Sequence, residues 1–224
     1  MARLSKQMTT AILIAVSVLG VYTVKNSQGS RTNFFGKVSE RAKGNPRAPV
    51  KIKEYIDFQC PACAEGAKFL TAYMQANPQK IYLELKFFPL TNHKHGLTSS
   101  RYVYCAGQQK KFWPFHDLLI ERQRQWSGLG DVHPFFQGIA QEVGLDKQKL
   151  EECLLDDATE KEILEDKAEG QGLGVQRTPT YFVNGNMVVG YKSLIDEIDL
   201  NTAEMPTLPS ENAKSLTNKE PPVQ

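Results

Sequence analysis

Val50-Lys51-Ile52-Lys53-Glu54-Tyr55-Ile56-Asp57-Phe58 runs straight into Gln59-Cys60-Pro61-Ala62-Cys63. Val50, Ile52, Ile56 and Phe58 alternate with Lys51, Lys53, Tyr55 and Asp57, the period of a strand that lays one face on a core. Proline at a first helical position sacrifices no hydrogen bond, so Cys60-Pro61 opens a helix. That helix is expected to reach Asn77, where Asn77-Pro78 stops it. Cys60 therefore stands at a helix N-terminus, where unpaired amides and the macrodipole favour a thiolate. It is expected to be an exposed nucleophile, with Cys63 one turn inward as the resolving thiol. Glu54 shares the apolar face, six residues before Cys60. A buried carboxyl is costly unless neutral or hydrogen-bonded, so Glu54 should titrate high and pass protons to or from Cys63. The alternative is a strand covered on both faces, with Glu54 paired to a lysine.

A lone C-x-x-C pattern is shared by redox sites, zinc sites and structural disulfides. Zinc needs two further ligands, and His93-x-His95 is the one pair on offer; no metal is expected. A c-type haem site needs His after the second cysteine, where Ala64 stands. Arg177-Thr178-Pro179-Thr180 precedes a short strand. Alone, Pro179 reads as an ordinary turn residue. Beside a strand, dithiol and helix it reads as a cis-proline that leaves the Thr178 backbone open to a substrate chain and crowds out metal. Thr178 and Pro179 are the candidate substrate-binding residues.

Outward from this centre, Lys80 to Phe88 reads as a second strand stopped by Pro89. Gly96 to Gly170 carries helical periodicity throughout, with helices expected over Leu97–Lys111, Trp113–Trp126, Pro134–Val143 and Asp146–Glu169. Phe112-Trp113-Pro114-Phe115-His116 is read as core of that block, with His116 structural. Two short strands, Thr180–Val183 and Met187–Gly190, flank Asn184-Gly185, a type I′ hairpin signal. Ser193 is a candidate cap for a last helix to Leu200. The order implies α/β architecture: a mixed central sheet with flanking helices, and an all-helical insertion at about 92–170 inside a domain spanning 49–200.

Arg3 and Lys6 precede an apolar run from Met8 to Val24. As a helix it rises about 25 Å, the short limit for a bilayer span. Residues 1–30 are read as an export signal or, without an obvious cleavage site, an uncleaved inner-membrane anchor that leaves the body outside. Residues 31–48 are read as a linker and 201–224 as a disordered tail. Hydrophobic residues make up 41%, enough for a core, and a net charge of +2 gives no field for nucleic acid. Four cysteines in an exported chain permit three pairings, and spacing chooses none. Cys105 and Cys153 both fall in the helical block, 48 positions apart. A bridge there would stabilise by roughly 4 kcal/mol through loop closure; two free thiols or a second redox pair are the alternatives.

Taken together, Ala48-Pro49-Val50, Glu54, Asp57-Phe58, Cys60-Pro61-Ala62-Cys63, Gly107-Gln108, Lys111-Phe112-Trp113, His116-Asp117, Thr178-Pro179-Thr180 and Phe182-Val183-Asn184-Gly185 resemble the DsbA-like thioredoxins, over about residues 44–200. The resemblance implies a thioredoxin fold with an inserted helical domain, a periplasmic or extracytoplasmic setting and a cis Thr178–Pro179 bond. It implies Cys60 as the residue of the mixed disulfide, Glu54 as buried acid and a Cys105/Cys153 pair like that of many relatives. It also implies thiol-containing exported proteins as substrates, a membrane partner that resets the dithiol, and no cofactor beyond the Cys60–Cys63 pair. The Pro-Ala dipeptide between the cysteines lacks the His of the best-known oxidases, so Ala62 offers no imidazole to the thiolate. A disulfide reductase or isomerase, for example in cytochrome maturation, and a non-catalytic membrane-anchored peptide-binding module are the rival functions.

Overall fold

The computed structural model describes residues 40–203. The expected anchor, the first part of the linker and nearly all of the tail lie outside these residues. Among the described residues no helix is long and apolar enough to cross a membrane.

Five strands form one sheet: β1 (Ala42–Gly44), β2 (Val50–Ile56), β3 (Ile81–Phe87), β4 (Thr180–Val183) and β5 (Asn186–Val189). Their order is β1-β3-β2-β4-β5. β2 and β3 run parallel, and the other three pairings are antiparallel. A parallel neighbour needs a crossover, and α1 (Pro61–Ala76) supplies it. Asn77 caps α1 in a non-helical conformation, with its N–H on the Tyr73 carbonyl, because the following Pro78 disfavours helix at this position. The β4–β5 hairpin turns through Asn184 at φ 50° and Gly185 at φ 96°, the positive pair that a two-residue I′ loop requires.

Between β3 and β4 lie six helices: α2 (Gly96–Gln108), α3 (Phe112–Glu121), α4 (Gln123–Trp126), α5 (His133–Glu142), α6 (Lys147–Leu155) and α7 (Asp157–Gly172). Two of the four expected helices are broken. The break between α6 and α7 falls at Asp156, whose extended backbone and carboxylate on the Ala158 N–H make it an N-cap. The break at Arg122 separates α3 from α4. α8 (Tyr191–Ala203) begins earlier than expected, so Ser193 lies inside its first turn and is not the cap. β1 is a further correction, because Ala42–Gly44 lies in the segment read as linker and pairs with β3.

The sheet is covered on both sides. One face carries Val50, Ile52, Ile81, Leu83, Tyr181 and Val183 against Leu70 of α1 and Leu194 and Ile198 of α8. At the C-terminal end of β2 and β3, Ile56, Phe58, Leu85 and Phe87 join the insertion's core of Tyr102, Phe112, Phe115, Leu119, Trp126 and Phe136. Cys60 and Cys63 belong to this second cluster. The dithiol thus sits where the C-terminal end of the central strand β2 meets the insertion. The opposite face packs on α7 through charged groups. Lys53 Nζ and Tyr55 Oη both reach Glu169 Oε1, at 3.1 and 2.9 Å. Lys86 Nζ reaches Asp166 Oδ1 at 3.0 Å and Glu169 Oε2 at 2.9 Å. Glu169 is partly buried, which raises its pKa, but Lys86 and Lys53 outweigh that and hold it down at about 2.

Candidate active site

The turn from β2 into α1 presents Cys60 as the helix N-cap, in extended conformation, with Pro61 next. The first helical N–H groups have no intrahelical acceptor, and those of Ala62 and Cys63 point at the Cys60 sulfur. The Cys63 thiol is the largest contribution holding the Cys60 pKa down to about 5. Burial opposes it, and the Thr178 hydroxyl and the two N–H groups assist. Both cysteines are free thiols. Cys60 was expected to be exposed, yet only 7% of its surface is, because Thr178 and the insertion cover it. Cys63 is fully buried, and burial, the hydrogen bond to Cys60 and the charges of Cys60 and Glu54 raise its pKa well above the ordinary thiol range. The two sulfurs are therefore pushed in opposite directions by one shared geometry.

Thr178–Pro179 is a cis peptide. Cys60 Sγ lies 3.5 Å from the Thr178 carbonyl oxygen, to which it donates when protonated. β4 begins at Thr180 and pairs with β2, which brings Thr178 and Pro179 beside the N-terminus of α1.

Glu54 is 1% exposed. Burial raises its pKa to about 7, while the charge of Lys43 and the hydroxyl of Tyr181 work against the rise. Tyr181 lies directly across from Glu54 in the β2–β4 register. Its hydroxyl occupies the space above Gly66, where a Cβ would come within 2.1 Å of it; a glycine in α1 is thus required for this tyrosine to lie under the dithiol. Lys43 sits opposite Leu83, and Leu83 opposite Ile52, so it projects on the face that carries Glu54. Its ammonium lies 4.0 Å above the Trp113 ring centroid. The two alternatives for Glu54 are thus partly joined: the strand is covered on both faces and a lysine is near, yet the carboxyl still titrates high.

Other residues singled out from sequence go elsewhere. His93 Nδ1 lies 3.0 Å from Asp57 Oδ2, and His95 Nε2 meets the Leu129 carbonyl at 2.7 Å. Asp57 is fully buried, and its carboxylate accepts the Gln59 and Leu90 N–H groups, each at 2.7 Å. His116 packs among Phe58, Phe112 and Trp113, with Nδ1 on Asp117 at 2.8 Å. Cys105 and Cys153 form a disulfide between α2 and α6, with Cα atoms 5.8 Å apart. Lys43, Tyr181 and Gln123 were not singled out. Tyr181 was reachable, since pairing the strand after Pro179 with β2 puts it across from the carboxylate. Lys43 was not, because a three-residue edge strand is too short to show a period.

The family model described as Thioredoxin matches residues 37–199. A probable disulfide bond formation protein D of Bacillus anthracis is 26% identical over 185 residues, covering 79% of this chain and 84% of that protein. A Na(+)/H(+) antiporter NhaA 1 of Salinispora arenicola is 32% identical over 148 residues, covering 65% of this chain and 22% of that protein; the chain spans about a fifth of the length of that relative. In structure, the alpha-DsbA1 protein of Wolbachia pipientis aligns at a TM-score of 0.63 with 22% identity, covering 73% of this chain and 90% of that one. The family match runs through the sheet, the dithiol and the insertion alike, and the chain accordingly belongs to the thioredoxin family.

Proposed function

We propose that the protein is a thiol–disulfide oxidoreductase that oxidises cysteine pairs in exported proteins. The observation that carries this reading is the placing of the two sulfurs: Cys60 caps α1 beside the cis Thr178–Pro179 peptide, with its pKa held down to about 5 chiefly by the Cys63 thiol, and Cys63 lies fully buried one turn inward, where burial pushes its own pKa up. In the oxidised enzyme a client thiolate attacks Cys60 Sγ. The Cys60–Cys63 bond breaks, its electron pair leaves with Cys63, and Cys60 carries the mixed disulfide. Glu54, poised at about 7, delivers the proton that Cys63 takes up. A second client thiolate then attacks the client sulfur of the mixed disulfide. The client disulfide forms and Cys60 departs as a thiolate, leaving the dithiol two electrons richer. A membrane redox protein accepts those electrons and restores the disulfide, so the dithiol needs no other cofactor.

The low Cys60 value favours oxidation over reduction of clients, because a stabilised thiolate stabilises the reduced enzyme. Here the amides of α1 and the Cys63 thiol do what an imidazole at Ala62 would do. Client chains bind along Thr178 and Pro179, where the backbone beside Cys60 is open to main-chain pairing. The work is extracytoplasmic, and the apolar run 8–24 holds the domain at the inner membrane.

The test is trapping in intact cells. Cys63→Ser should accumulate covalent complexes with exported proteins that a reductant dissolves, and Cys60→Ser should abolish turnover. Absence of any mixed disulfide from the Cys63→Ser protein would remove the mechanism. Retention of client binding in Cys60→Ser, with no exchange lost, would leave a peptide-binding module instead.

A further inference from the structure

Gln123 belongs to none of the motifs that identify the dithiol. It is the first residue of α4, inside the helical insertion, and is 5% exposed. Its Nε2 donates to the Phe58 carbonyl at 2.7 Å and to the Cys60 carbonyl at 2.9 Å. Two carbonyls can be satisfied only by an NH2 group with two hydrogens, which fixes the orientation of the amide and excludes Glu, Leu or Met as equivalents. The two carbonyls bracket Gln59 on the turn that leads from β2 into α1. The Cys60 carbonyl also accepts from the Cys63 and Ala64 N–H groups, at 3.1 and 3.3 Å, so it is part of the first turn of α1. Gln59 extends the tie: its Oε1 accepts the His95 N–H at 2.6 Å and its Nε2 donates to the Ser127 carbonyl at 2.9 Å. A turn outside the sheet ladder is thus held by side-chain amides on both sides.

We propose that Gln123 is a positioning residue through which the helical insertion sets the nucleophilicity of Cys60. The donors that stabilise the Cys60 sulfur are short-range and fall away steeply with distance and angle. Holding the Cys60 peptide plane from below fixes the sulfur against those donors. With the tie cut, the turn samples orientations in which the sulfur loses them. The inference rests on the reading of Cys60 as an ionised nucleophile, and the test separates the two.

The test is the rate of Cys60 alkylation by iodoacetamide across pH 4–9 in the reduced full-length protein. Gln123→Met keeps length and volume and removes both donors. At pH 6 it should alkylate at least about threefold more slowly than the unaltered protein, with the midpoint moved upward. Trp126→Phe is the control on the same helix. It removes the bond from Trp126 Nε1 to the Leu119 carbonyl (2.8 Å), and should lower stability without moving the profile. If Gln123→Met alkylates as fast as the unaltered protein, Gln123 is structural only and the inference falls. If that variant does not fold, Gln123→Asn, too short to span both carbonyls, should move the midpoint in the same direction, and an unmoved midpoint overturns the inference equally. A slow, ordinary thiol in the unaltered protein would instead overturn the dithiol reading itself.

Discussion

Glu54 is the residue whose surroundings are hardest to reconcile with stability alone. Its carboxyl titrates at about 7 in the fold against roughly 4.3 in an unfolded chain. Between those values the folded chain holds a proton that the unfolded chain has lost, so stability falls as pH rises through this window. Above pH 7 the buried charge costs on the order of 3 kcal/mol. Glu54→Gln should therefore raise the melting temperature at pH 8 and change it little at pH 4. The same variant should slow thiol exchange at pH 7 by roughly tenfold or more, as loss of a positioned proton donor does. A variant that gains stability yet keeps its full exchange rate would leave Glu54 no part in the chemistry. Much of this was legible in the sequence: an acid on the apolar side of a strand, six residues before a cysteine, has few bland explanations. The countercharge was not, because Lys43 lies in a polar stretch that looks like linker until β3 pairs with it.

At the scale of elements, α7 is attached to the sheet by charge as well as by packing. Asp166 is 5% exposed and accepts the Phe87 N–H at 3.1 Å while pairing with Lys86 and Arg41. Asp166→Ala takes the acceptor from the buried Phe87 N–H and one of their partners from Lys86 and Arg41, and should cost about 2–4 kcal/mol in chemical denaturation. Glu169, held down at about 2, supports the fold above its unfolded value, and that support is lost as pH falls through about 2. Acid titration of Glu169→Gln should therefore be flatter between pH 4 and 2 than that of the unaltered protein. The helices of the insertion were legible from their apolar period, but their ends were less so. Leu154-Leu155-Asp156-Asp157 continues a helical pattern, and only the capping carboxylate of Asp156 reveals the break. Similarly, Trp113–Trp126 reads as one continuous helix, and nothing in that pattern marks Gln123 as buried against the dithiol turn.

For the whole molecule, the insertion has its own disulfide and shares a core with the active-site helix. Replacing Cys105 and Cys153 together by serine should cost up to about 4 kcal/mol through the freed 48-residue separation. The Cys60 alkylation profile should stay in place, since that pair lies in α2 and α6 rather than at the dithiol. The order of strand, helix, strand, helical block and hairpin was enough to place the sheet and its crossover. It did not show that the insertion covers Cys60, because coverage depends on how α4 and the 127–130 loop return to the β2–α1 turn. All of these levels converge on one sulfur held ionised at the start of α1. Its most direct measurement is the pH dependence of Cys60 alkylation in the reduced, unaltered protein, read by mass spectrometry with Cys63 as internal reference. The rate should reach half its plateau near pH 5, with Cys63 unlabelled throughout. A midpoint near 8.5, the value of an ordinary cysteine, would contradict the account.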